Sequence, residues 1–197
     1  MSVATQKIIN FLFVLGQRID DTPSKMDRVV SLELLDLHCK MLPGKLLRCR
    51  ALRTLDISGN QLTELPLNTW PSCYSSECSL QFAARFLDLN VNNLHAFPPK
   101  IGGCQSLAIL SLRHNNLSEL PMEIGKLNQL QVLDLADNSL QYLPYTLTVL
   151  CKAKTLSALW LSFNQPPLPN MTTTHEPVMN IKFRRRRFAE GTLPPVG

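Results

Sequence analysis

An asparagine recurs at a fixed distance through the middle of this chain, each time inside the same frame of apolar residues. Leu110, Leu112, Asn115, Leu117, Leu120 and Pro121 form one copy. The same frame stands 23 residues earlier as Leu87, Leu89, Asn92, Leu94, Phe97 and Pro98, and 23 later as Leu133, Leu135, Asn138, Leu140, Leu143 and Pro144. Two more copies lie further out: Leu55, Ile57, Asn60, Leu62, Leu65 and Pro66, then Leu159, Leu161 and Asn164. A unit this short cannot bury its own apolar face, so repetition at a constant interval dictates units stacked on one another.

Within each unit the leucines of the LxL segment alternate with polar residues, which predicts a short strand with leucines inward. The proline that follows turns the chain away from a strand and back along the opposite side, as a helical turn or an extended segment. The asparagine sits between inward positions, where a polar amide is costly unless bonded. Its two donors and one acceptor suit it to bond backbone groups of its own and the adjacent coil. Asn116, beside Asn115, is replaced by Gln61, Ser139 and Gln165 in other copies, so it is an outward polar position. The ladder is therefore Asn60, Asn92, Asn115, Asn138 and Asn164, in a structural role. The frame, LxxLxLxxNxLxxLPxxIxxL, resembles the leucine-rich repeat. It implies an α/β solenoid with short parallel strands on a concave face and helical turns or extended segments on the convex face.

The pattern breaks in four places. Residues 32–43 read as a degenerate first coil, with Leu37 at the ladder position and Cys39 at a leucine position. Asn60 and Asn92 are 32 residues apart, and the excess lies in residues 67–79, read as a lateral loop carrying Cys73 and Cys78. Asn138 and Asn164 are 26 apart, with the extra residues around 149–157. Pro166, Pro167 and Pro169 end the frame. The resulting division is a flanking or cap segment at 1–29, a repeat domain of about six coils at 30–169, and a basic, disordered tail at 170–197. In the first segment Ile8, Leu12, Leu15 and Ile19 fall at helical spacing and could cover a core end. The run IINFLFVLG is too short to span a bilayer.

The net charge of +5 is unevenly spread. Residues 170–197 hold five basic and two acidic groups, whereas the repeat body is close to neutral. The tail's cations are Lys182, Arg184, Arg185, Arg186 and Arg187, flanked by Phe183 and Phe188, a composition able to hold anionic lipid or nucleic acid. Most of the six cysteines are widely spaced, which fits reduced thiols in a cytoplasmic protein better than a disulfide framework. No histidine or second pair near Cys73 and Cys78 completes a metal site, so no metal and no cofactor are expected. The sequons at Asn116 and Asn170 are expected to be unmodified.

The outward positions of the strands form columns across the stack. The first runs Glu33, Asp56, Asp88, Ser111, Asp134, Trp160; the second, Leu35, Ser58, Asn90, Arg113, Ala136, Ser162; the third, Asp36, Gly59, Val91, His114, Asp137, Phe163. Four carboxylates in six places at strand spacing repel one another, a cost that a purely structural face has no reason to keep. The expectation is that this stripe docks a basic segment of a partner protein. Trp160 and Phe163 would be apolar anchors, and Asp56, Asp88, Asn90, Arg113, His114, Asp134 and Asp137 would complete the partner-binding set. No paired nucleophile and base can be assembled, so the chain reads as non-enzymatic.

The stretches IGGC at 101–104, LSLRHN at 110–115 and ALWLSFNQ at 158–165 resemble the last repeats of the leucine-rich-repeat and PDZ scaffold family of Scribble, Erbin and Lano. The resemblance covers roughly residues 80–166. It implies a cytoplasmic scaffold of cell polarity or cell junctions, peripheral at the plasma membrane and without catalytic activity. Two departures stand against the family pattern: Phe163 replaces an acidic residue before Asn164, and no GLGF-like carboxylate-binding loop occurs. Two other readings use the same residues. One is a regulator of small GTPase or phosphatase signalling on the same surface; the other is nucleic-acid or anionic-membrane binding through the tail, nucleic acid being the less expected.

Overall fold

The computed structural model describes residues 29–42, 51–65 and 84–165. Six three-residue strands, β1 (Ser31–Glu33), β2 (Thr54–Asp56), β3 (Phe86–Asp88), β4 (Ile109–Ser111), β5 (Val132–Asp134) and β6 (Ala158–Trp160), form one sheet in sequence order. Every neighbouring pair is parallel. The register places Leu32, Leu55, Leu87, Leu110, Leu133 and Leu159 side by side, as the 23-residue alignment requires. The degenerate first coil is a coil: β1 pairs with β2, Cys39 is buried, and Leu37 packs half-buried against the core. The fold is a leucine-rich-repeat solenoid.

The core is filled from both sides of each coil. Leu55, Ile57, Leu87, Leu89, Leu110, Leu112, Leu133 and Leu135 enter from the sheet side and are buried. Ile101, Ile124 and Leu147, again 23 residues apart, enter from the return path, as do Cys104, Leu127 and Leu150. That return path is helical: 3-10 turns at Pro99–Gly103 and Met122–Lys126, then a short α-helix, α1 (Leu147–Lys152). The three extra residues between Asn138 and Asn164 are taken up here, where the tighter 3-10 turn gives way to an α-helical one. Lys154, at φ 58°, closes that segment through its N–H to the carbonyl of Cys151.

The ladder asparagines behave as hydrogen-bonded struts. Asn115 Oδ1 accepts the N–H of Leu94 in the preceding coil at 3.0 Å. Its Nδ2 donates to Leu89 O of that coil at 2.9 Å and to Leu112 O of its own at 3.1 Å. Asn92 and Asn138 repeat this arrangement one coil to either side. Asn60 bonds Cys39 N and Leu34 O, so the coil that carries Leu37 is held from its neighbour. Asn164 bonds Leu140 N and Leu135 O but is only half-buried.

Two glycines set how closely the convex turns stack. A Cβ on Gly125 would stand 2.6 Å from both the carbonyl oxygen and the Cβ of Thr146. On Gly102, one coil earlier, it would stand 2.9 Å from Glu123 Cβ. Gly125→Ala should therefore force backbone apart and destabilise the chain by about 2 kcal/mol. Thermal unfolding followed by circular dichroism should show a drop of roughly 4–8 °C; an unchanged midpoint would reject the close-stacking account.

The expected segment 1–29, apart from Val29, the insertion at 67–79 with Cys73 and Cys78, and the tail at 170–197 lie outside the described residues. Among the described residues, no helix is long and apolar enough to cross a membrane.

Candidate functional site

The first column lies where its alternation puts it, on the open face of the sheet, with Asp56, Asp88, Ser111, Asp134 and Trp160 in direct register. Its depth corrects the expectation. Asp88, Ser111 and Asp134 are only 6%, 6% and 8% exposed. The carboxylates also have structural employment, which offsets part of the cost of their mutual repulsion. Asp56 Oδ1 accepts the N–H of Ser58 at 3.0 Å, Asp88 Oδ1 that of Asn90 at 2.8 Å, and Asp134 Oδ1 that of Ala136 at 3.0 Å. Each closes the turn that leaves a strand, a place where a short side chain with a fixed acceptor competes well for a backbone donor. Ser111 makes no such bond. In its coil the corresponding N–H, that of Arg113, donates instead to Asn90 Oδ1 at 2.7 Å.

Bonding does not cancel the charge. Burial pushes Asp88 up from 3.8 to about 6, against the lowering effect of its bond from Asn90, and the negative charges of Asp56 and Asp134 push it further. Asp134 is raised as well, chiefly by burial, with Arg113 pulling the other way. The face thus holds carboxylates whose ionised forms lack solvation, the condition under which an incoming cation gains most.

The second column is more enclosed than expected. Ala136 is buried, and half-buried Asn90 is tied to Asp88 through its own Nδ2 at 3.2 Å. Arg113 Nε binds Asp137 Oδ2 at 2.8 Å across one coil, so these two groups form a pair rather than two separate docking points. Both side chains are partly exposed, and such a pair contributes at most about 1 kcal/mol.

The third column has a property that no residue-type pattern announces. Asp36, Gly59, Val91, His114, Asp137 and Phe163 all have left-handed backbone, with φ between 51° and 69°. The turn before each ladder position demands this conformation whatever the residue. Asp tolerates it and Gly is free there, but Val91 and Phe163 bear a cost of roughly 1–2 kcal/mol each. Strain at these two is a consequence of the repeat, so it does not by itself mark a binding site. Phe163 is 80% exposed and His114 is exposed. They line an open groove of about 510 Å³ that crosses the turns following the strands, with Val91, Asn116 and Ser139. Trp160 belongs to the acidic column and is half-buried, and it is not among the residues that line this groove.

Three features escaped the sequence reading: the turn-closing carboxylates, the Gly102–Gly125 spacing, and the exchange of acceptor between Ser111 and Asn90. Only the glycine spacing carried a signal, a 23-residue recurrence hidden among residues not counted in the leucine frame. Among the described residues, no group of three or more His, Cys, Asp or Glu is placed to hold a metal. Lys182 and Arg184–Arg187 lie outside the described residues.

The family model for the leucine-rich repeat matches residues 51–73 and 106–127. Three solved structures, all from Arabidopsis thaliana, are similar. The first is the leucine-rich-repeat ectodomain of the plant membrane receptor kinase GASSHO1/SCHENGEN3 in complex with CASPARIAN STRIP INTEGRITY FACTOR 2, at 30% identity over 71% of this chain, with a TM-score of 0.58. This chain spans only 16% of that ectodomain's length. The second is the BIR3–SERK2 complex, at 31% identity over 74% of each chain, with a TM-score of 0.53. The third is the BIR2 ectodomain, at 28% identity over 72% of each chain, with a TM-score of 0.50. No curated protein matches the sequence.

Proposed function

The chain belongs to the leucine-rich-repeat proteins, and from that premise we propose that it is a non-enzymatic binding module whose concave face takes a basic segment of a partner protein. One observation carries the reading: Asp56, Asp88 and Asp134 share a register on an open face, and the charges that act on Asp88 are both negative. A cationic side chain arriving there replaces lost solvation, relieves repulsion and meets Trp160 at the end of the column. Two of the similar structures are complexes, one with CASPARIAN STRIP INTEGRITY FACTOR 2 and one of BIR3 with SERK2, which supports partner binding as the use of this architecture.

The setting we propose is a cytoplasmic scaffold of the polarity or junction kind. It rests on the family resemblance of residues 101–104, 110–115 and 158–165. Regulation of a small GTPase or phosphatase would use the same face.

Changing the aspartates to lysine would strip acceptors from Ser58, Asn90 and Ala136, so asparagine is the informative substitute. Affinity capture with the full chain should retain proteins bearing basic segments. The triple change Asp56→Asn, Asp88→Asn and Asp134→Asn should reduce that retention at least tenfold. Equal retention by a folded variant would overturn the concave-face reading.

A further inference from the structure

The residues that alternate with the inward leucines set two rows side by side on the open face of the sheet. One is the Asp88–Ser111–Asp134 column. The other, two residues earlier along each strand and about 6.6 Å away, is Phe86, Ile109 and Val132, also in direct register. These three are half-buried and lie on the face opposite the core. The open face therefore carries an apolar row beside a polar one.

Ser111 is 6% exposed, and its hydroxyl has no partner among the described residues. A buried polar group without a bond calls for a partner from outside, and here both of its neighbours in the column are carboxylates. Asp88 and Asp134 each commit Oδ1 to a turn N–H, which leaves lone pairs on Oδ2 for further donors. A guanidinium presents several N–H groups in one plane, so it can donate to a carboxylate and to the serine hydroxyl at once. It is also more weakly hydrated than an ammonium, which suits a row that water barely reaches. The hydroxyl has two lone pairs and can serve a guanidinium on either side. Asp88 and Asp134 are two strands apart, about 9.6 Å by ordinary strand spacing. Along an extended polyproline-type segment, residues i and i+3 point the same way and lie about 9.3 Å apart. Residue i+1 is turned by a third of a revolution, towards the apolar row.

We propose that the concave face selects an extended partner segment of the pattern arginine, apolar, any residue, arginine, apolar, lying across β3, β4 and β5. The two arginines meet Asp88 and Asp134 and share the hydroxyl of Ser111. The apolar residues lie on Phe86, Ile109 and Val132. This deepens the reading of the face as a site for basic segments and rests on it. Charge alone accepts any cluster of cations; the serine, the strand spacing and the apolar row add the selection.

The first probe is a fluorescein-labelled peptide, Arg-Leu-Pro-Arg-Leu-Pro, whose prolines hold the extended form. It is titrated by anisotropy into the full chain at one ionic strength. Two control peptides carry the same charge: Lys-Leu-Pro-Lys-Leu-Pro, and Arg-Arg-Leu-Leu-Pro-Pro, in which the arginines are adjacent. Each control should bind about tenfold more weakly than the first probe. Ser111→Ala, which removes one hydroxyl, should weaken the first probe about tenfold and change the lysine control by less than about twofold. Ile109→Thr, which keeps the branched side chain and adds a hydroxyl, should weaken the first probe about threefold. Equal affinity for all three peptides, lost when Asp56, Asp88 and Asp134 are together changed to Asn, overturns the arginine pattern and leaves the basic-segment face intact. Preference for the first probe that neither Ser111→Ala nor Ile109→Thr moves overturns the assignment to these two rows. Binding of the first probe that survives the triple asparagine change overturns both the pattern and the face. No binding of the first probe overturns the pattern, and the affinity capture described above then decides the face separately.

Discussion

Changing Asn115 to Ala should destabilise the chain by about 3 kcal/mol, while the same change at the adjacent Asn116 should fall within about 0.5 kcal/mol of wild type. Asn115 is 7% exposed and spans two coils; Asn116 is exposed. Losing the Asn115 carboxamide leaves the N–H of Leu94 without its acceptor in a dry interior. The carbonyls suffer less, because Leu89 O also receives Asn92 Nδ2 and Leu112 O also receives Asn138 Nδ2. The cost is therefore one orphaned donor at about 1–3 kcal/mol, with the remaining amide bonds at about 1 kcal/mol each. At the half-buried end of the ladder, Asn164→Ala should cost only about 1 kcal/mol, since water can reach the groups it leaves. Thermal and urea unfolding of the three variants should show midpoint losses of roughly 6–12 °C for Asn115 and near zero for Asn116. Equal effects at the two positions would reject the ladder.

The second large effect concerns pH. Because burial and like charge lift Asp88 from 3.8 to about 6, the folded chain holds this proton more tightly than the unfolded chain does. Stability from this group is fully present below pH 3.8 and is lost as pH rises through about 6. At 1.36 kcal/mol per pH unit, the ionised group at neutral pH costs about 3 kcal/mol relative to its protonated form. Asp88→Asn keeps the acceptor for the Asn90 N–H and removes the charge, but it sets two amide donors near each other where Asn90 Nδ2 now meets a carboxylate oxygen. A gain of about 1–2 kcal/mol at pH 7 should remain. At pH 4 the wild type should match or exceed the variant. A stability difference that stays constant from pH 4 to 7 would show that Asp88 titrates as an ordinary surface carboxylate. The same linkage bears on binding: a cationic partner favours the ionised form, so affinity should weaken below pH 6.

Much of this was legible in the leucines and asparagines. Leu110, Leu112 and Asn115 recur at an interval that admits one geometry, and six strands follow in register, the degenerate first coil among them. The candidate face was legible as a column and misjudged in depth. Asp88 and Asp134 read as exposed charges retained for docking, yet both are buried and close turns. Arg113 and Asp137 read as separate contacts, although they are 24 residues apart in sequence and bonded across adjacent coils. Alternation along a strand states the side of the sheet on which a residue lies. It is silent on how far the neighbouring coils shield that residue.

What the sequence by itself determined is the inside of the solenoid. A leucine or an amide repeated at one interval must meet its own kind, because stacked coils share a single interior and an unbonded amide there is costly. What only the tertiary structure decided is the state of the polar face and the spacing of the coils. Whether Asp88 holds its proton, whether Arg113 is taken by Asp137, and whether Gly125 has room for a methyl all depend on atoms contributed by the next coil. Those contacts are set by separations of a few ångströms in space, which a 23-residue periodicity does not specify.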